Sequence, residues 1–293
     1  MNDRADRSPT QYPRRILLAV TGLSPQVVTE TLYALAAIFE TPAPAQHALQ
    51  KFSHVPNPYV IEPPPFGARD IAAGDSLSFN VVLIGRALGQ LPLIVYALQR
   101  ALSDGLGKRR TQATLTAVEW EDSETRVPVW DAEQSRVLEH QPGLEVPAFA
   151  DDEAVTLHFH TPLRLQHQGK PLPVNRLSPR ALVTTLLRRA SLLFELHADR
   201  SDVVTDPHEL AARAEQLQDE RCLQWLDWTR YSSRQHQEMT LGGVVGTWRL
   251  RGDLGPLLPW LWLGQWLHVG KSAVMGMGGY RLVLHPTPNT GIA

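Results

Sequence analysis

One order of segments occurs twice in this chain. In the first copy, SLSFNVVLIG (Ser76–Gly85) reads as a strand, and Leu88–Gly105 reads as a helix with Leu91, Ile94, Val95, Leu98 and Leu102 at helical spacing. GLGKRR (Gly105–Arg110) is a glycine-rich basic loop, and Thr111–Trp120 reads as a closing strand. In the second copy, GTWRLRG is the strand, DLGPLLPWLWLGQWL the apolar helix, HVGKSAVMGMG (His268–Gly278) the loop and GYRLVL the strand. A repeated supersecondary order argues for two related domains rather than one continuous sheet.

The second copy has a legible first half. Glu153–Leu165 reads as a strand. Ser178–His197 reads as a helix that begins on a serine cap with proline at the first helical position. Val183, Leu186, Leu187, Ala190 and Phe194 form its apolar stripe, with Arg188 and Arg189 opposite. Asp206-Pro207-His208-Glu209 is a second cap. Asp227–Gly252 then reads as a hairpin turning near Gly242-Gly243. Strand, helix, hairpin, helix, strand is the split βαβ, ferredoxin-like order. The expected class is α+β, two tandem ferredoxin-like domains, each with a glycine-rich loop before its last strand. Such an antiparallel sheet carries helices on one face and leaves the other free for a ligand. RNA-recognition domains use this plan.

Charge marks the boundary between the copies. Residues 1–118 carry 11 basic and 8 acidic side chains, residues 119–155 carry 2 and 11, and residues 156–293 carry 15 and 11. The expected division is a tail at 1–13, a domain at 14–122, an acidic connector at 123–152, a domain at 153–285 and a tail at 286–293. The bases are 24 Arg and 4 Lys. A guanidinium is a planar fork that matches phosphate and stacks on bases. A single cysteine, Cys222, excludes an internal disulfide and a cysteine-based zinc site. No run of 18 apolar residues suggests a membrane helix. A cytoplasmic protein without membrane partner, metal or cofactor is the expectation.

Gly270-Lys271-Ser272 is not a phosphate-binding P-loop. That motif needs a glycine five residues before its Gly-Lys-Ser and a helix after it. Here Gln265 stands at the glycine position and a strand-like run follows. The loop instead offers glycines for close backbone approach to a phosphate without a helix.

Several segments, in order, resemble one family. NPYVIEPP, GDSLSFNVVLIGRALGQLPLIVYAL, HFHTPLRLQHQGK, RYSSRQ and LHVGKSAVMGMGGY are similar to the CRISPR precursor-RNA processing endoribonucleases, the Cas-six family of RAMP proteins. The likeness runs from about Tyr33 to Leu284. It implies binding of CRISPR repeat RNA and retention of the crRNA. It also implies metal-independent cleavage, in which a 2′-hydroxyl attacks phosphorus and leaves a 2′,3′-cyclic phosphate. Other CRISPR effector subunits are candidate partners. No feature sets an oligomeric state. Under this resemblance the loop would hold RNA backbone through Gly270, Ser272, Gly276, Gly278 and Gly279. Arg230, Arg234 and Gln235 of the hairpin, and Lys108, Arg109 and Arg110 of the first loop, would add contacts.

Arg14–Ala36 departs from that pattern. It resembles the start of a Rossmann-type CRISPR-associated family related to cyclic-oligoadenylate sensors. It reads as a strand (Ile16–Val20) and a helix (Pro25–Phe39) that would supply the first strand and helix of the N-terminal domain. Relatives often carry the catalytic histidine on or near that helix, which here has none. His47 and His54 lie on a proline-rich stretch. His268 is the best-placed imidazole, a group whose ordinary pKa of about 6.5 suits general acid–base work. Lys271 would neutralise charge developing on phosphorus. Tyr231 would orient the 2′-hydroxyl or stack a base. These three form the expected catalytic set. A non-catalytic RNA-binding remnant is the alternative. His158 and His160 alternate on one strand face, spaced as a metal pair is but without a third partner in reach.

Overall fold

The computed structural model describes residues 15–21, 39, 55–62, 64, 72, 74–105, 110–121, 126–139, 144, 146–149, 152–200, 203–232 and 237–286. They divide between two compact units. One lies within Thr10–Leu144 together with Leu192–Ser201, the other within Glu145–Ser191 together with Asp202–Ala293. The fold is α+β, and its sheets are antiparallel.

In the N-terminal unit, strands β1 (Arg15–Thr21), β2 (Tyr59–Glu62), β3 (Ser76–Leu83), β4 (Thr114–Glu121) and β5 (Arg126–Pro128) form a sheet in the order β2-β3-β1-β4-β5. β1 sits between β3 and β4 and pairs with both. The rest of the Arg14–Phe39 segment lies outside the described residues, except for Phe39, which is helical and buried. Helix α1 (Leu91–Asp104) joins β3 to β4 and buries the five residues whose spacing marked it. β3 alternates as a half-buried strand does: Leu77, Phe79 and Val81 are buried, Ser76 and Ser78 exposed. The acidic connector is more ordered than its composition suggests. It contains β5 and a short hairpin of β6 (Trp130–Asp131) and β7 (Arg136–Val137). The apolar Val129 and Trp130 explain this, because both are buried.

The C-terminal unit contains β8 (Asp152–Leu163), the small pair β9 (Gln166–His167) and β10 (Lys170–Pro171), β11 (Gln218–Ser232), β12 (Gln237–Arg251) and β13 (Tyr280–Pro286). Its main sheet runs β11-β12-β8-β13. Helices α2 (Pro179–His197), α3 (Pro207–Glu215) and α4 (Leu258–Leu267) follow in chain order. Chain order β8, α2, β11, β12, α4, β13, with β8 and β12 central, is that of the split βαβ motif. Both caps form: Ser178 Oγ accepts the Ala181 N–H at 3.2 Å, and the Asp206 carboxylate accepts the Glu209 N–H at 2.8 Å.

Strand alternation gives this sheet two different faces. Val155, Leu157, Phe159, Trp248, Leu250, Tyr280 and Leu282 are buried. Leu186 of α2 and Gly264 of α4 close over Tyr280, so the helices cover this side. β13 is an edge strand, and the buried Gln265 Oε1 accepts the Leu282 N–H at 2.8 Å, which blunts that edge. Trp248 is fully buried. Trp248→Ala is expected to cost about 3–5 kcal/mol, read as a lower urea midpoint.

Two expectations are corrected here. The hairpin does not turn at Gly242-Gly243. Both glycines lie inside β12, opposite Asp227 and Leu226, and the connection falls between Ser232 and Gln237. Their lack of a Cβ serves packing instead. A Cβ at Gly242 would meet the Trp225 ring at 2.5 Å, and one at Gly243 would meet the Leu163 carbonyl oxygen at 2.7 Å. Phe194 is only half-buried, and Leu193 takes its place in the buried stripe of α2.

Candidate nucleic-acid interface

The loop from His268 to Gly279 is built against the end of β8. Gly270 bridges Arg164 in parallel register, and the Lys271 N–H donates to the Arg164 carbonyl at 2.9 Å. The Gly278 N–H donates to Pro162 O at 3.0 Å, and the Val269 N–H to Gly278 O at 3.2 Å. The Gly279 N–H is held by Thr161 Oγ1 at 2.7 Å. This fit leaves no room for side chains. A Cβ would meet the Arg164 carbonyl oxygen at 2.6 Å from Gly270, and the Val269 carbonyl oxygen at 1.8 Å from Gly278. Gly270, Gly276 and Gly278 all have positive φ, at 96°, 83° and 70°. The glycines therefore have a reason inside the protein: they let the loop close on its own backbone.

Lys271 is exposed and Ser272 is half-buried on this loop. Ser272 has φ 62°, and His268 has φ 55° with ψ 160°. Side chains other than glycine rarely take these conformations, which cost on the order of 1–3 kcal/mol each and cluster at functional sites.

His268 has 0% exposure. Its Nδ1 lies 3.1 Å from the Met277 carbonyl. A carbonyl can only accept, so Nδ1 carries the proton and Nε2 is left as the second ring nitrogen. The other imidazole here is His160, exposed at the end of β8. A Cβ at Gly279 would stand 2.6 Å from His268 Cε1 and 3.0 Å from His160 Nε2. The two rings are neighbours across one α-carbon.

In sequence Arg189 reads as solvated beside Arg188. Arg188 is exposed, but Arg189 turns inward and its Nε donates to the Leu267 carbonyl at 2.7 Å. Leu267 ends α4, so a cation caps the helix terminus from which the loop departs. Burial lowers the guanidinium pKa to about 10, so the group stays charged at neutral pH. Arg189→Ala removes the donor from a buried carbonyl and is expected to cost about 1–3 kcal/mol in urea unfolding. Burial also raises the pKa of Tyr280, which stays neutral and donates to Leu261 O at 2.6 Å.

The face of the same sheet opposite these helices is basic. Thr247, His158 and Arg281 are paired across β12, β8 and β13, and Arg249 stands opposite Thr156 one step along. Arg251 belongs to the same face, where Glu220 pairs with it at 3.3 Å. Sequence reading missed Arg249 and Arg281. Arg249 alternating with Trp248 and Leu250, and Arg281 standing between Tyr280 and Leu282, were the available signal, because period 2 puts them on the side away from the core.

The remaining expected contacts are more scattered. Arg230 and Tyr231 lie on the backbone of β11, and their side chains fall outside the described residues. Arg234, Gln235, Lys108 and Arg109 also fall outside them, as do His47 and His54. Arg110 is described and exposed, in the N-terminal unit. Among the described helices, none is long and apolar enough to cross a membrane.

Residues 157–280, from within β8 to the first residue of β13, match the family model of the CRISPR-associated endoribonuclease Cas6. Over this stretch the chain is similar to the Cas6 family. Residues 26–142 match a second model, described as an N-terminal domain. No curated protein sequence matches the chain. Solved structures share the fold. A Cas6 product complex aligns with a TM-score of 0.58 and 17% identity, over 94% of this chain and 100% of that one. A chain of a partial Cas6-RT-Cas1–Cas2 complex aligns at 0.55 and 16%, over 94% of this chain and 47% of that one. Thermus thermophilus Cas6 aligns at 0.51 and 16%, over 92% and 98%. The loop, His158 and Arg249 lie on the matched segment, and Arg281 lies one residue beyond it.

Proposed function

We propose that this protein binds CRISPR repeat RNA and cuts it once, without a metal, by attack of a 2′-hydroxyl on the adjacent phosphorus. The observation that carries this reading is the Cas6 match over 157–280, the stretch that builds the loop and, apart from Arg281, the basic face. We take 14–122 and 153–285 as two ferredoxin-like domains, an assignment the two strand orders support.

RNA backbone runs along the loop, where Lys271 is exposed to meet phosphate, and over Arg249 and Arg281. Single-stranded or splayed RNA suits an open sheet of this kind. Tyr231, Arg230, Arg234 and Gln235 contribute from the long hairpin. The glycines hold the loop in shape, and Ser272 stands at its left-handed turn. His268 supports the site from beneath the loop through its ring, whose orientation the Met277 carbonyl maintains. Other CRISPR proteins are its partners, as the Cas6-RT-Cas1–Cas2 neighbour suggests.

The burial of His268 favours a second reading, a protein that binds repeat RNA and does not cut. One experiment separates the two. Purified protein is incubated with repeat RNA from its own locus in EDTA, and products are resolved on a gel. A single cut ending in a 2′,3′-cyclic phosphate supports the enzyme. Binding without a cut supports the second reading, and neither binding nor cutting sinks both. Lys271→Ala is expected to leave one phosphate without its cation, lowering the slope of log K against log salt by about 0.7 for single-stranded RNA.

A further inference from the structure

We propose that His160 is a catalytic residue of this site, the imidazole that touches RNA, and that His268 positions it. The proposal rests on the cleavage reading above and deepens it. Three observations carry it. His160 is exposed, whereas His268 has 0% exposure. The two rings share the space over Gly279, with His160 Nε2 and His268 Cε1 at 3.0 and 2.6 Å from the point where a Cβ would stand. The backbone fixes this meeting on both sides. The His160 N–H donates to Gly279 O at 3.2 Å, and Thr161 Oγ1 accepts the Gly279 N–H at 2.7 Å.

His160 thus stands where two structures meet. It is the last outward-facing position of the central strand β8 before the loop-binding segment Pro162–Arg164. Behind it on the same face are His158 and, across from that, Arg281. A phosphodiester running from the basic face towards Lys271 passes His160. His268 cannot reach that path without loop opening, but it fills the space beneath Gly279. Its strained backbone, φ 55° and ψ 160°, is held while its Nδ1 proton is committed to Met277 O. Strain maintained at a buried histidine fits a positioning part.

In the reaction, His160 takes the proton of the 2′-hydroxyl as the O2′–P bond forms. The P–O5′ bond breaks, and the departing 5′-oxygen takes a proton from water. The imidazolium then returns its proton to solvent. The products are a 2′,3′-cyclic phosphate and a 5′-hydroxyl, and no oxidant or metal is consumed. A base in this part must be unprotonated, so cleavage should rise with pH through the titration of an imidazole and then level.

The test is single-turnover cleavage of locus repeat RNA in EDTA by wild type, His160→Ala, His160→Gln and, as a control on the exposed surface of α3, His208→Ala. Binding is measured with the same RNA carrying one 2′-deoxy substitution at the cut. Thermal midpoints confirm that each variant folds. The expected result is a rate lowered about 100-fold or more in both His160 variants, with affinity for the deoxy RNA within about twofold. Their low-pH limb is expected to flatten, and His208→Ala is expected to keep it. Equal cutting by wild type and His160→Gln overturns the proposal but leaves the cleavage reading intact. Failure of wild type to cut overturns both. Loss of deoxy-RNA affinity equal to the loss of rate makes His160 a binding residue and overturns its catalytic part.

Discussion

Gly278→Val should cost about 3 kcal/mol or more of stability in urea unfolding of the whole chain. Gly278 has φ 70°, and an added Cβ would sit 1.8 Å from the Val269 carbonyl oxygen. That oxygen belongs to backbone, so it cannot swing aside as a flexible side chain does. The strained torsion alone accounts for roughly 1–3 kcal/mol, and the overlap must displace the segment that connects α4 to the loop. RNA binding is expected to disappear with the fold, not before it. An unchanged urea midpoint would refute this account of the loop. Gly270→Ala should behave similarly on a smaller scale, because its clash with Arg164 O is at 2.6 Å. In sequence these glycines read as places where the main chain approaches RNA. The structure gives three of them, Gly270, Gly278 and Gly279, a prior duty towards the protein itself.

The second large effect concerns the basic face. Arg249→Ala with Arg281→Ala should weaken repeat-RNA binding at least tenfold at low salt. It should also reduce the slope of log K against log salt by about 1.4 for single-stranded RNA, about 0.7 for each phosphate that is no longer neutralised. Both residues stand on the side of the sheet opposite Trp248, Leu250 and Leu282, and a urea midpoint measured for the double variant checks that it folds. Arg100, paired with Asp104 on the surface of α1, is the control, and Arg100→Ala should leave the slope unchanged. If the double variant keeps the wild-type slope, RNA does not cross this face.

Local signals were sufficient for much of the fold. The stripe of α1 was legible because 3.6-residue periodicity and burial are two descriptions of one surface. The caps at Ser178 and Asp206 were legible because their hydrogen bonds span only three residues. The hairpin turn was misplaced for the converse reason. A Gly-Gly pair usually signals a turn, yet here it accommodates Trp225 and the Leu163 carbonyl, partners 17 and 80 positions away in the chain. Nothing local distinguishes the two uses.

The candidate site divides in the same way. The loop with its Lys271, the alternation of His158 and His160, and the apolar α4 are properties of short segments, and the sequence by itself determined them. Which imidazole is accessible is not such a property. His268 lies two residues before Gly270 and reads as the natural catalyst, but the loop folds back on β8 and buries it. His160 reads as one of a pair on a strand, but the register of β8 against β13 sets it beside Gly279 at the surface. Arg189 reads as solvated, but α4 presents the Leu267 carbonyl to it. Each of these outcomes depends on contacts between residues about 80 to 120 positions apart. Only the closing of the sheet and its helices brings such residues together, and so only the tertiary structure decided them.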